Sequence, residues 1–180
     1  MSTKRNLALK FLLAGMVSGL LCWLGGLLAP EHSLLIKIFP GVIFGVVLYL
    51  VGRHEGLAPQ RPHGLTCAII VATSVLSWRA AVDIGYMHGR PLPMLAAGAL
   101  GALVLALGLM WAWHWRRGMA VALCAIVATG ALVAQAVQWL WDTYPTMDEV
   151  VEVSVLFVGW QALVMLAIAL SVPTALREHR

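Results

Sequence analysis

Six long apolar runs alternate with short polar segments along this chain. Each run has about the 20 residues that a helix needs to cross a hydrocarbon core of ~30 Å. Strands of a membrane barrel would alternate apolar and polar residues, and these runs do not alternate. The pattern therefore predicts six transmembrane α-helices. They cover residues 7–29, 34–52, 65–86, 94–115, 119–141 and 147–172.

Composition supports this interpretation, because 61% of the 180 residues are hydrophobic and only 11% are charged. A soluble domain has about 25% charged residues, and this chain has too few to cover a core with a polar surface. In lipid, every backbone polar group must be paired within the structure, which favours helices. We expect an all-α polytopic membrane protein, a six-helix bundle forming one transmembrane domain over residues 1–180.

The distribution of positive charge predicts the orientation of the bundle. Nine of the twelve lysines and arginines fall on one side of a six-span topology. Basic residues are enriched on the cytoplasmic side, so we expect both termini in the cytoplasm of a bacterial inner membrane. The net charge of +4 is explained by this bias, without a nucleic-acid partner. The nine residues are Lys4, Arg5, Lys10, Arg53, Arg61, Arg116, Arg117, Arg177 and Arg180.

Aromatic residues cluster at two predicted membrane boundaries, where amphipathic rings are common. We predict an inner and an outer interfacial belt. The inner belt comprises Trp111, Trp113 and Trp115, and the outer belt comprises Trp139, Trp141 and Tyr144.

Small residues at four-residue spacing predict close helix contacts, either within the bundle or between subunits. Gly15 and Gly19 have this spacing in the first run, and Gly41 and Gly45 have it in the second. A proline before Gly41, Pro40, predicts a kink in the second helix rather than a break around a substrate.

A group of polar residues lies inside the apolar runs, towards the predicted outer leaflet. Arg79 and Asp83 are four residues apart and share a helix face, which lowers the cost of burying either charge. Gln135, Gln138 and Asp142 share a face of the fifth helix, so Arg79 could meet them if the third and fifth helices face each other. The group either fixes helix register or lines an outward-facing cavity or pore mouth. Its members are Lys37, Arg79, Asp83, Gln135, Gln138, Asp142 and Gln161.

No enzyme motif and no metal-ligand spacing accompanies these residues, so we expect no cofactor and no metal site. Cys22, Cys67 and Cys124 are scattered within apolar runs and are interpreted as small apolar residues. An intramembrane enzyme is therefore the least favoured class.

Two functional hypotheses remain. The first is a small transport or channel subunit that binds or admits a solute or ion at the outer polar group. The alternative is a membrane sensor, anchor or effector, for example of a stress or defence system, that acts through protein partners and oligomerisation. Its docking surface would be the loop at residues 52–64, with Arg53, His54, Arg61 and His63 as candidates. Both hypotheses imply contact with membrane lipids and membership of a homo-oligomer or a membrane complex.

Overall fold

Six α-helices make up almost all of the residues that the structure, a computed structural model, describes. Each helix is long and apolar enough to cross a membrane, which confirms the predicted all-helical chain with six potential spans. The helices are α1 (Ser2–Leu28), α2 (Leu34–His54), α3 (His63–Tyr86), α4 (Met94–Ala112), α5 (Met119–Thr143) and α6 (Glu149–Ser171). The structure describes residues 2–28, 34–57, 62–86, 94–116, 118–144 and 149–173.

The helices form a closed ring in chain order. Each helix packs extensively against the next one along the chain, and α1 packs against α6. Neighbouring helices run antiparallel, so Ser2 and Ser171 lie at the same end of the bundle. We call this end the termini end and the opposite end the distal end.

Glycines allow the helix backbones to approach closely, as their spacing predicts. A Cβ atom on Gly15 would lie 2.6 Å from the Cα atom of Ala162 on α6. A Cβ atom on Gly41 would lie 2.5 Å from the Cα atom of Val75 on α3. These predicted small-residue faces are thus used inside the bundle, where only a residue without a side chain fits.

The outer surface of the ring is apolar. Leu28, Val121 and Leu132 are 85%, 76% and 66% exposed, respectively. Exposed apolar area on this scale is unusual in a protein surrounded by water and is suited to contact with lipid.

Helices α2 and α4 end in the same way at the termini end. Each ends in a Schellman motif, in which a left-handed residue turns the chain back towards the core. After α2, Gly56 is left-handed (φ 72°) and the Leu57 N–H donates to the carbonyl of Gly52 at 2.9 Å. After α4, His114 is left-handed (φ 51°) and the Trp115 N–H donates to the carbonyl of Met110 at 2.9 Å.

These turns place large side chains inside the termini half of the ring. Leu57 is completely buried, and Trp113 and Trp115 are 2% and 1% exposed. The predicted inner belt is therefore wrong for Trp113 and Trp115, whereas Trp111 stays 58% exposed. Trp113 continues the buried helix face of Leu105 and Leu109, and the turn at His114 directs Trp115 inwards. The same half of the ring is filled by further buried side chains. They include Phe11, Leu48, Ile70, Leu105, Leu109, Ile126, Met165 and Ile168.

Candidate functional site

The distal half of the ring contains a partly enclosed cavity of about 340 Å³. This volume falls within the range of small-molecule sites, roughly 300–1,000 Å³. Helices α2 to α6 all contribute to its wall. The lining residues are Pro40, Gly41, Phe44, Ser74, Ser77, Trp78, Ala81, Val82, Met94, Ala97, Gly98, Gly101, Ala134, Gln138, Trp141, Leu156, Phe157, Trp160 and Gln161.

The cavity exists because small residues face the interior at this level of the ring. Gly98, Gly101 and Ala97 line it from α4, and Ala134 lines it from α5. At the termini half, the same helices contribute leucine and isoleucine side chains to the core. Among the described residues, the small side chains therefore leave an interior space in the distal half of the ring.

Aromatic rings form much of the wall. Phe44 of α2 and Trp160 of α6 pack with ring centroids 6.0 Å apart at 59°. Trp78 of α3 and Phe157 of α6 pack with centroids 5.2 Å apart at 31°. Residues 157 and 160 are three apart and so share a helix face. One face of α6 thus presents two aromatic pairs to the cavity.

Three polar side chains that line the cavity already have partners. The Ser77 hydroxyl donates to the carbonyl of Gly101 at 2.6 Å and ties α3 to α4. The Ser74 hydroxyl donates to the carbonyl of Ile70 at 2.7 Å. The Gln138 amide donates to the carboxylate of Asp142 at 2.9 Å. The donor of each of these groups is therefore engaged within the protein.

Two polar atoms on lining residues lack a partner. Gln161 is 4% exposed, and its amide nitrogen donates to the sulfur of Cys22 at 3.3 Å, which leaves the amide oxygen buried and unpaired. The indole N–H of Trp141 is also buried and unpaired. A buried polar group without a partner costs about 1–3 kcal/mol. Both atoms lack accessible surface, including towards the cavity, so neither is a ligand contact in this arrangement of side chains.

Only some members of the predicted polar group line the distal cavity. Gln138 and Gln161 line the cavity, whereas Arg79, Asp83, Lys37, Gln135 and Asp142 do not. Lys37 is exposed and Gln135 is half-buried. A binding role for the non-lining residues stays a prediction.

Arg79 forms an ion pair with Asp83 along α3, with N and O atoms 2.5 Å apart. Their side chains are 33% and 49% exposed. The sequence suggested that Arg79 could pair with Gln135, Gln138 or Asp142 if α3 and α5 faced each other. No such pairing occurs among the described residues. The reason is the ring order, since α3 packs extensively on α2 and α4, and α5 packs on α4 and α6.

The docking candidates of the alternative hypothesis lie at the termini end. Arg53, His54 and His63 are exposed, and Arg61 lies outside the described residues. Next to them, Lys10 of α1 pairs with Glu55 at 2.6 Å, which ties α1 to the turn after α2. Their role in partner binding stays a prediction.

Within the described part of the chain, no three His, Cys, Asp or Glu residues come together in a way that would hold a metal ion. The chain matches no protein family, no curated protein and no solved structure.

The Arg79–Asp83 pair offers a test of its structural role. We expect Arg79→Leu and Asp83→Leu each to lower the free energy of unfolding by about 1 kcal/mol, because each leaves a charge unpaired near the hydrocarbon. The double variant should be close to the original protein. A double-mutant cycle on thermal unfolding measures the coupling. If the stability losses of the two single variants add up in the double variant, the ion pair itself does not stabilise the protein.

Proposed function

We propose that this chain is a multi-pass membrane protein that binds a small molecule in the distal cavity and acts as the binding subunit of a transport system. The partly enclosed cavity, lined mostly by aromatic and small side chains with Ser74, Ser77 and Gln138 among them, carries the proposal. Sites for small molecules have this character, with mostly apolar walls and a few polar groups that orient the ligand.

The proposed orientation rests on the charge bias of the chain. Basic residues concentrate at the termini end, which would place both termini in the cytoplasm of a bacterial inner membrane. The cavity would then face the outside of the cell.

The filled termini half favours a binding subunit over a simple pore. A solute that moved along the ring axis would have to displace buried side chains such as Leu48, Leu105 and Met165. Packed interiors of this kind do not open without rearrangement. We therefore propose that release on the other side requires a partner protein or further copies of the chain.

A cavity-filling variant tests the proposal. Ala81 of α3 lines the cavity, so Ala81→Phe should place a ring in the ligand's space. We expect native mass spectrometry of the protein, released from its own membrane, to show a bound molecule of a few hundred daltons. The Ala81→Phe variant should bind this molecule at least about tenfold more weakly, which corresponds to about 1.4 kcal/mol, and so should carry less of it.

Ala72→Phe is the matched control, since Ala72 lies on the exposed surface of the same helix. It should carry the same bound molecule as the original protein. If the original protein carries nothing, or Ala81→Phe carries as much as Ala72→Phe, the cavity is not a ligand site.

A further inference from the structure

The helices of the ring contact their neighbours in two different ways. In three neighbouring pairs, glycines bring the two backbones together. These contacts lie at Gly15 between α1 and α6, at Gly41 between α2 and α3, and at Gly130 between α4 and α5. A Cβ atom on Gly130, for example, would lie 2.7 Å from the carbonyl oxygen of Gly98. Close-packed backbones resist separation, so we expect each of these pairs to move as one body.

Further contacts join α3 to α4. The Ser77 hydroxyl donates to the carbonyl of Gly101 at 2.6 Å. A Cβ atom on Gly108 would lie 2.5 Å from Oγ1 of Thr73. Because α3 is also joined to α2, and α4 to α5, these contacts connect four helices into one body. We call α2, α3, α4 and α5 the four-helix unit, and α1 with α6 the pair unit.

Two seams separate the units. The contacts of α1 with α2 and of α5 with α6 are the least extensive between neighbours in the ring. At the first seam, the atoms nearest to a Cβ on Gly25 belong to the ring of Phe39. At the second seam, a Cβ on Gly130 would lie 3.5 Å from the indole nitrogen of Trp160, whereas a Cβ on Gly159 would meet nothing within 4 Å. The described glycines therefore meet side chains at the seams and not the neighbouring backbone.

Two polar links cross the first seam. Lys10 pairs with Glu55 at 2.6 Å, and the Cys22 thiol donates to the carbonyl of Pro40 at 3.5 Å. The first link lies at the surface of the termini end, and a thiol is a weak donor. Neither link holds the seam as firmly as a close contact between backbones.

The distal cavity lies between the two units. The lining residues of α6 include Phe157 and Trp160, and the other described lining residues belong to the four-helix unit, apart from none on α1. Both aromatic pairs cross from one unit to the other, Phe44 with Trp160 and Trp78 with Phe157. The relative position of the units therefore sets the width of the cavity.

The buried side chains of the termini half also come from both units. Leu48 and Leu105 belong to the four-helix unit, and Met165 and Ile168 belong to the pair unit. A displacement of one unit against the other would therefore loosen the fill that blocks the axis of the ring.

Unpaired polar atoms raise the free energy of the present arrangement. In the described part of the chain, four buried side-chain polar atoms lack a partner, and three of them belong to the pair unit, on Ser18, Trp23 and Gln161. A buried donor or acceptor without a partner is costly. A movement that gave these atoms partners would offset part of its own cost.

We propose that the pair unit moves as a rigid body against the four-helix unit, and that this movement changes the distal cavity and loosens the filled termini half. The inference rests on the proposed binding function and names the conformational change by which that site would release its ligand. Rigid-body movement of packed units about an interface is a common form of switching transition.

Three distances across the ring test the movement. The ring order places α1 opposite α4, α2 opposite α5, and α3 opposite α6. Nitroxide labels are attached to cysteines at exposed leucines, in a background with Cys22→Ser, Cys67→Ala and Cys124→Ala. Pulsed electron paramagnetic resonance of the full chain in lipid nanodiscs then gives each distance. The label pairs are Leu13 with Leu107, Leu50 with Leu132, and Leu76 with Leu163, all between 41% and 66% exposed.

Trp160→Ala removes the aromatic contact of the pair unit with Phe44. We expect this variant to shift or broaden the α1–α4 and α3–α6 distances by about 2 Å or more, because both cross the seams. The α2–α5 distance lies within the four-helix unit and should stay unchanged. Phe157→Ala, which removes the contact with Trp78, should give the same pattern and serves if Trp160→Ala does not fold. Trp139→Ala is the matched control, since Trp139 is 62% exposed, and it should leave all three distances unchanged.

The pattern of the three distances decides the outcome. The proposal is overturned if all three distances change alike, if the α3–α6 distance changes without the α1–α4 distance, or if neither variant changes any of them. In each case, a bound molecule that Ala81→Phe weakens would still support the binding function. Absence of any bound molecule would remove the binding function, while the distances would still report whether the two units move.

Discussion

We expect Gly19→Leu to lose most of the folded protein. A Cβ atom at Gly19 would lie 2.5 Å from the Cα atom of Val158 and 2.8 Å from the carbonyl oxygen of Phe157. Both atoms belong to the backbone of α6, so no side-chain rotation relieves the clash and the two helices must separate. Overpacking of this kind costs about 3 kcal/mol. Thermal unfolding in one detergent, together with the monodisperse fraction on size exclusion, measures the loss.

Gly26→Leu is the matched control on the same helix. A Cβ atom at Gly26 meets nothing within 4 Å, so the substitution adds a side chain to the exposed surface. Both variants gain the same intrinsic helix propensity, roughly 0.8 kcal/mol relative to glycine. Equal stability of the two variants would show that the close approach of α1 and α6 does not hold the ring closed.

The same contact positions the candidate site. The Cβ position of Gly15 faces the carbonyl oxygen of Gln161, and that of Gly19 faces the carbonyl oxygen of Phe157. Gln161 and Phe157 both line the cavity. The two glycines therefore set how closely α6 approaches α1, and with it the positions of two cavity-lining residues, one of which belongs to an aromatic pair.

The six long apolar helices were predictable from the sequence because the length of an apolar run is a strong and local signal. The six predicted helices match the observed ones apart from their ends. The close contacts at Gly15, Gly19, Gly41 and Gly45 were predictable for a similar reason, since a four-residue spacing places two glycines on one face.

The burial of Trp113 and Trp115 was not predicted from the sequence around them. Tryptophans next to two arginines at the end of an apolar run are typical of a membrane boundary. Trp113 lies inside because it continues the helix face of Leu109. Trp115 lies inside because His114 is left-handed, at a position where glycine is the usual residue. After α2, Gly56 occupies the corresponding position, and there the sequence does carry the signal.

The cavity was only partly predictable. Periodicity identified Gln138 and Gln161, because polar residues are conspicuous inside apolar runs. It missed Phe44, Trp78 and Trp160, because aromatic residues within such runs are also typical of ordinary helix packing. The space itself results from small residues on α4 and α5 meeting at one level, and this meeting depends on which helices are neighbours in the ring.

The second large effect is expected at the termini end, where Trp115→Ala should lower the free energy of unfolding by about 3 kcal/mol. Trp115 is 1% exposed, and removal of its ring leaves a void that the surrounding helices fill only in part. In lipid, helices are held together mainly by packing, so lost contacts are not offset by a hydrophobic gain elsewhere. The midpoint of thermal unfolding reports the effect.

Trp111→Ala is the control within the same segment, because Trp111 is 58% exposed. Its loss should change stability by less than about 0.5 kcal/mol, as is usual for surface substitutions. Equal effects at Trp111 and Trp115 would show that the ring of Trp115 lies at the membrane boundary instead of in the core. A large effect at Trp115 alone would instead support the argument that the termini half is packed shut, and that the distal cavity opens at one end of the bundle only.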